Sequence, residues 1–226
     1  MDEISPTLLL TRPQQQPDTF LSDVNQHLGR SVPALISPLV RIESVGQTPD
    51  LDEFATIILT SGNTVWQLGQ ALKNRNVVTV GDKTARLARA WGADANALGE
   101  NVVSLLKQSE QIRPPALYCR GRHSRGDLAR NLEELGVTVE EVVLYDQVAQ
   151  PLSQAARKLL NSRAPIIAPV FSPRSAKLLS EEKITAPIKI LAISAATKSA
   201  WRGPGDVVVA DRPDALHMLQ LVQAVI

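Results

Sequence analysis

A single cysteine in 226 residues, Cys119, excludes an internal disulfide and any C-x-x-C metal pair. Histidine is nearly as scarce: His27, His123 and His217 stand far apart with no ligand spacing among them, so no metal is expected. Aromatic residues make up only 4% of the chain, too few to build base-stacking platforms. The net charge of +1 gives no whole-molecule attraction to nucleic acid or to an anionic membrane. No apolar run approaches the roughly 18 residues of a membrane span. The start MDEISPTLLL carries two acids where a secretory leader would be basic. The expectation is a cytoplasmic protein with neither nucleic acid nor membrane as partner.

A phosphate loop is missing as well. The stretch VVTVGDKTARLARAWG, Val77 to Gly92, ends a strand in GDKT, but no glycine lies five residues before Asp82, and that aspartate would repel a phosphate. What remains is a strand, a glycine and a helix starting near Thr84. Its unpaired N–H groups and hydroxyl either form a general anion site or simply cap the helix.

What the chain does have is an ordinary core: 44% hydrophobic against 21% charged residues. Short aliphatic strands alternate with helical stretches from TLLL onward, which argues for α/β architecture with parallel sheets. The chain also resembles itself at a separation of about 110 residues. IILTSGNTVWQL pairs with APVFSPRSAKLL, setting Ser61 opposite Ser172. VTVGDKTARLA pairs with LAISAATKSAW, setting Thr84 opposite Thr197, and TLLLTR pairs with PALYCR, setting Arg12 opposite Arg120. Two similar α/β units facing one another would form a cleft with helix N-termini pointing into it. The runs ALISPLVRIESV and VEEVVLYDQVAQP occupy matched places and read as a stiff two-stranded connector. Pattern alone leaves open whether the repeated pieces fold as consecutive halves or interleave.

The loop CRGRHSRGD places Arg120, Arg122, His123 and Arg125 between a strand and a helix, either as a carboxylate-binding cluster or as a solvated basic loop. Ser61 and Ser172 follow apolar strands and read as helix caps or as hydroxyls offered to a ligand; neither lies in a G-x-S-x-G elbow. Cys119 reads as a packed thiol rather than a nucleophile. Tyr145 is a phenol on the second connector, bordering the expected cleft or merely packed.

In LLLTRP, ILTSGNTV, VTVGDKTA, RGRHSRGDLARNLEELG followed by VVLYDQV, VFSPRSA and AISAATKSA, taken in that order, the chain resembles the uroporphyrinogen-III synthase family over nearly its full length. It departs from the family where Ile193-Ser194 replaces Ile-Gly and Lys198 replaces alanine. The resemblance implies two flavodoxin-like parallel-sheet α/β domains with a cleft between them. One domain would be 1–37 with 149–226 and the other 45–142, joined through 38–44 and 143–148. It implies a cofactor-independent lyase that takes hydroxymethylbilane, loses water to give an azafulvene, and closes the ring with inversion of ring D through a spiro intermediate. It assigns Tyr145 to the departing hydroxyl. A phenol is a weak acid at neutral pH, so a hydrogen bond to the leaving oxygen is expected rather than full proton donation. Arg12, Ser61, Thr84, Arg120, Arg125, Ser172 and Thr197 would receive the substrate's eight carboxylates. A monomer is expected, in transient contact with the enzyme that makes hydroxymethylbilane. From a different class, a bilobed module that binds a small ligand without catalysis would also match the architecture. A nucleotide-sugar transferase fits poorly with a short chain lacking a phosphate loop.

Overall fold

The structure is a computed structural model describing residues 5–13, 19–123 and 126–226. The chain runs β1 (Thr7–Leu10), α1 (Thr19–Leu28), β2 (Ala34–Ile36) and β3 (Val40–Ser44). It continues through β4 (Thr56–Leu59), α2 (Gly62–Leu68), β5 (Asn76–Thr79), α3 (Asp82–Ala90), β6 (Asp94–Ala97) and α4 (Val102–Leu106). Then come β7 (Ala116–Gly121), α5 (Leu128–Glu134) and the long β8 (Val139–Ala149). The last part is α6 (Gln154–Leu160), β9 (Ile166–Val170), α7 (Pro173–Ser180), β10 (Ile188–Ala192), α8 (Ala195–Ala200), β11 (Asp206–Val209) and α9 (Ala215–Gln223).

Contacts divide the chain into two compact units, Met1–Arg41 with Val148–Ile226, and Ile42–Gln147. The first holds a sheet in the order β11-β10-β9-β1-β2; the second holds one in the order β3-β8-β7-β4-β5-β6. The pairings β1 with β2 and β9, and β10 with β9 and β11, are all parallel. So are β4 with β5 and β7, β5 with β6, and β7 with β8. Counted in chain order within the first unit, the strands lie 2-1-3-4-5, the flavodoxin-like doubly wound order. In the second unit β7 and β8 take the places that β1 and β2 hold in the first. Each sheet therefore joins the opening strand pair of one sequence repeat to the strand-Ser-helix and strand-Thr-helix pieces of the other, and the halves interleave.

Burial on both faces explains why these strands read as unbroken apolar runs. Successive side chains alternate: Leu8, Leu10, Ile167 and Leu191 pack under α1 and α9, while Leu9, Ile166, Ala168 and Ile190 pack under α6 and α7. The second sheet repeats this, with Ile57, Leu59 and Cys119 beneath α2 and α3 and with Ile58, Val78 and Tyr118 beneath α4 and α5. Pro169, which has no N–H to donate, sits in the central strand β9. The β1–β9 ladder pairs only Thr7 with Ile166 and Leu8 with Ile167, ending before Pro169, while β9 continues beside β10 as far as Val170. The two strands thus part at the point where the strand order reverses, which is where doubly wound sheets place ligands. Among the described residues no helix is long and apolar enough to cross a membrane.

Candidate functional site

Residues singled out from the sequence gather at the carboxyl ends of adjacent parallel strands, separately in each unit. In the first unit Arg12 follows β1. Its guanidinium lies 4.4 Å from the Phe171 ring centroid and 5.9 Å from that of Phe20, and the two rings meet edge to face at 5.0 Å. This cation–π stack sets the arginine against Phe171, the residue directly before Ser172. Ser172 caps α7, accepting from Ser175 N at 3.1 Å while donating to Ser175 Oγ at 2.9 Å. One strand further on, Thr197 is fully buried, and its hydroxyl lies 3.1 Å from Ser194 Oγ, which also accepts from Thr197 N and caps α8. The departure at Ser194 therefore has a structural role: it replaces a conformationally free glycine with a side-chain cap in extended backbone, φ −157°.

The matching corner in the second unit differs from expectation. The α3 helix begins at Asp82, not near Thr84, because Gly81 adopts φ 77° and serves as the N-cap without a side-chain hydrogen bond. Thr84 is the third helical residue and is buried, so it does not cap. Asp82 instead supplies the acid of the first turn and pairs with Arg86 at 3.0 Å.

Ser61 caps α2, accepting from Asn63 N at 3.2 Å. It also accepts from the Tyr145 hydroxyl at 3.3 Å, bringing together two candidates 84 residues apart. The chain's other tyrosine also meets a hydroxyl next door: Tyr118 Oη lies 3.2 Å from Thr60 Oγ1, and burial raises the pKa of that phenol. The Tyr145 ring is held against β7 by a register shift between Arg120 and Gly121 that sets Gly121 opposite Tyr145, and Arg122 N donates to Tyr145 O at 2.8 Å.

Arg120 is engaged differently from its repeat partner Arg12. It lies within β7, donating to Glu141 at 2.6 Å and to the carbonyls of Gly121 and Arg122 at 2.9 and 3.2 Å. The hydrogen bond to Glu141 is the main reason its pKa is raised. Arg122 and His123 both turn onto Asp146, at 2.9 and 3.3 Å. Arg125 lies outside the described residues. Cys119 is buried beneath the sheet, and desolvation pushes its thiol up to about 12, so it holds its proton at neutral pH. Among the described residues no three of the His, Cys, Asp and Glu side chains could hold a metal ion together. The aromatic stack on Arg12 and the glycine behind Tyr145 were missed from sequence. An aromatic directly before Ser172 and a glycine inside a strand were the available signals.

Each unit sets hydroxyl and guanidinium groups at the carboxyl edge of a doubly wound sheet, the edge at which sheets of this class take small-molecule ligands. The profile described as uroporphyrinogen-III synthase HemD matches residues 27–220, and the chain belongs to that family. It is thereby a lyase of tetrapyrrole biosynthesis acting on hydroxymethylbilane. Among solved structures, the uroporphyrinogen-III synthetase from Helicobacter pylori has the same fold: TM-score 0.67 at 17% identity, covering 98% of this chain and 100% of that one. A mutant uroporphyrinogen III synthase from the extremely thermophilic bacterium Thermus thermophilus aligns with a TM-score of 0.49 at 17% identity, over 97% of this chain and 98% of that one. No curated protein sequence matches the chain.

Proposed function

We propose that the chain closes hydroxymethylbilane with inversion of ring D, that hydroxyl, guanidinium and N–H groups at the carboxyl ends of the strands receive its carboxylates, and that the Tyr145–Ser61 pair acts on the departing hydroxyl. In the first unit the carboxylate ligands are Arg12, Ser172, and Thr197 acting from behind Ser194. In the second they are the N–H groups of the Thr84 corner and Arg125. Arg120, bound to Glu141, contributes positive potential rather than direct contact. The observation that carries this assignment is the Tyr145–Ser61 hydrogen bond at the end of β4, beside the Thr84 corner. Left alone, the substrate closes without inversion, so the protein must favour the hindered attack over the easy one. Each tenfold preference requires about 1.4 kcal/mol of differential stabilisation, which several neutral hydrogen bonds can provide. Positioning supplies the rest. We place the protein in the cytoplasm as a monomer that meets the hydroxymethylbilane-forming enzyme transiently.

The test is product analysis with the wild type and with Arg12→Ala. Type III product from the wild type, and a raised KM in a folded Arg12→Ala, are expected. A wild type that leaves spontaneous closure unchanged refutes the assignment and favours a binding module without catalysis.

A further inference from the structure

Within the synthase reading, the pair at the end of β4 raises the question of which hydroxyl meets the substrate. Tyr145 is only 4% exposed, and its proton points at Ser61 Oγ. Ser61 is partly exposed. A serine hydroxyl has two lone pairs and one proton. Both acceptor positions of Ser61 are taken, one by Asn63 N–H and the other by the phenol. Its own proton is the remaining hydrogen-bonding element of the pair, and it sits on the accessible residue. Behind Tyr145, Gly121 leaves the ring no slack: a methyl there would lie 2.6 Å from Cε2 and 2.8 Å from Oη.

We infer that Ser61 Oγ–H is the donor that meets the leaving oxygen, and that Tyr145 is a positioning residue that orients this proton by filling a lone pair on Ser61. This assignment rests on the synthase function and distributes roles within it. In the step concerned, the carbon–oxygen bond breaks with its electron pair on oxygen, and the pyrrole electrons form the exocyclic double bond. The pyrrole N–H proton passes through solvent to complete the water. Ser61 keeps its proton and stabilises the charge developing on oxygen, as a preorganised oxyanion donor does. The phenol's hydrogen bond into Ser61 polarises that donor and strengthens it.

The roles are separated by measuring type III formation, with hydroxymethylbilane generated in place from porphobilinogen, for Ser61→Gly, Ser61→Ala, Ser61→Thr, Tyr145→Phe and the Ser61→Gly/Tyr145→Phe double variant. Glycine preserves a helix start at little cost, so Ser61→Gly decides the matter if Ser61→Ala does not fold. Removing the hydroxyl should lower kcat about 100-fold with KM changed less than about threefold. Ser61→Thr should recover most of the rate. Tyr145→Phe should lose only about tenfold, and the double variant should be no slower than Ser61→Gly alone. A Tyr145→Phe defect larger than that of Ser61→Gly, or a double variant slowed by the product of the single effects, overturns the inference and puts the phenol on the substrate. A wild type yielding only type I product overturns the synthase function instead, before any variant is compared.

Discussion

Gly121→Ala tests how tightly Tyr145 is held. Gly121 lies outside the left-handed residues of this backbone, so alanine meets no conformational penalty there and any effect is steric. The added methyl would stand 2.6 Å from Tyr145 Cε2 and 2.8 Å from its oxygen, against a normal carbon contact of about 3.5–4.0 Å. The ring must therefore retreat by about 1 Å, in a place where it is already buried. Overpacking of this kind costs about 1–3 kcal/mol, a fall in thermal midpoint of roughly 3–10 °C for a chain of this size. The Tyr145–Ser61 bond is already long at 3.3 Å, and such a shift carries it beyond hydrogen-bonding range. Type III turnover should then fall to the level of Tyr145→Phe, about tenfold below wild type. The assay pairs calorimetry with isomer-resolved turnover, and repeats both in a Tyr145→Leu background where the ring is gone. In that background Gly121→Ala should add little. An unchanged midpoint and rate in the single variant, or the same loss with and without the ring, would refute the steric reasoning.

Thr84→Ala should leave the thermal midpoint close to wild type, because Gly81 rather than Thr84 is the N-cap of α3 and alanine's helix propensity gains about 0.5 kcal/mol against the lost side-chain contacts; type III turnover should still fall, and an unchanged rate would remove Thr84 from the site. Cys119 should resist alkylation at pH 8 in the folded protein and react only on unfolding, because burial pushes its thiol up to about 12; stoichiometric labelling of the native chain would contradict the burial. Asp214 caps α9, and its carboxyl is held below the ordinary 3.8 first by the His217 N–H and then by the His217 ring. With the folded pKa below the unfolded one, that contribution is complete above pH 3.8 and disappears as pH falls through the lowered value. Amide exchange should show the first turn of α9 opening only in that acidic window, and opening already complete at about pH 5 would contradict the cap.

The alternation of apolar runs and helical stretches was legible because each parallel strand is buried on both faces, as Leu8 to Leu10 and Ile57 to Leu59 are. The caps at Ser61 and Ser172 were legible for a similar reason: a serine between an apolar strand and a helix has one common use. What could not be read was set by contacts distant in sequence. Thr84 was placed at the helix start because nothing local reveals that Gly81 turns through φ 77° and begins the helix two residues sooner. Arg120 matched Arg12 by repeat, yet the longer β7 brings Glu141 of β8 against it, so one arginine lies inside a sheet while the other stacks on Phe171. The meeting of Ser61 and Tyr145 depends on a one-residue register shift that no periodicity records. Repeats identify which pieces are alike, but the exchange of strand pairs between the two sheets is a property of packing.

The most direct test is the isomer composition of the product. Chelator-treated protein is supplied with porphobilinogen and a hydroxymethylbilane-forming enzyme; the product is oxidised and its isomers are separated as protein concentration is varied. Type III should rise with protein and displace type I without added metal or cofactor. Type I alone, at every protein concentration and with substrate supply verified, would contradict the claim that this chain closes the tetrapyrrole with inversion.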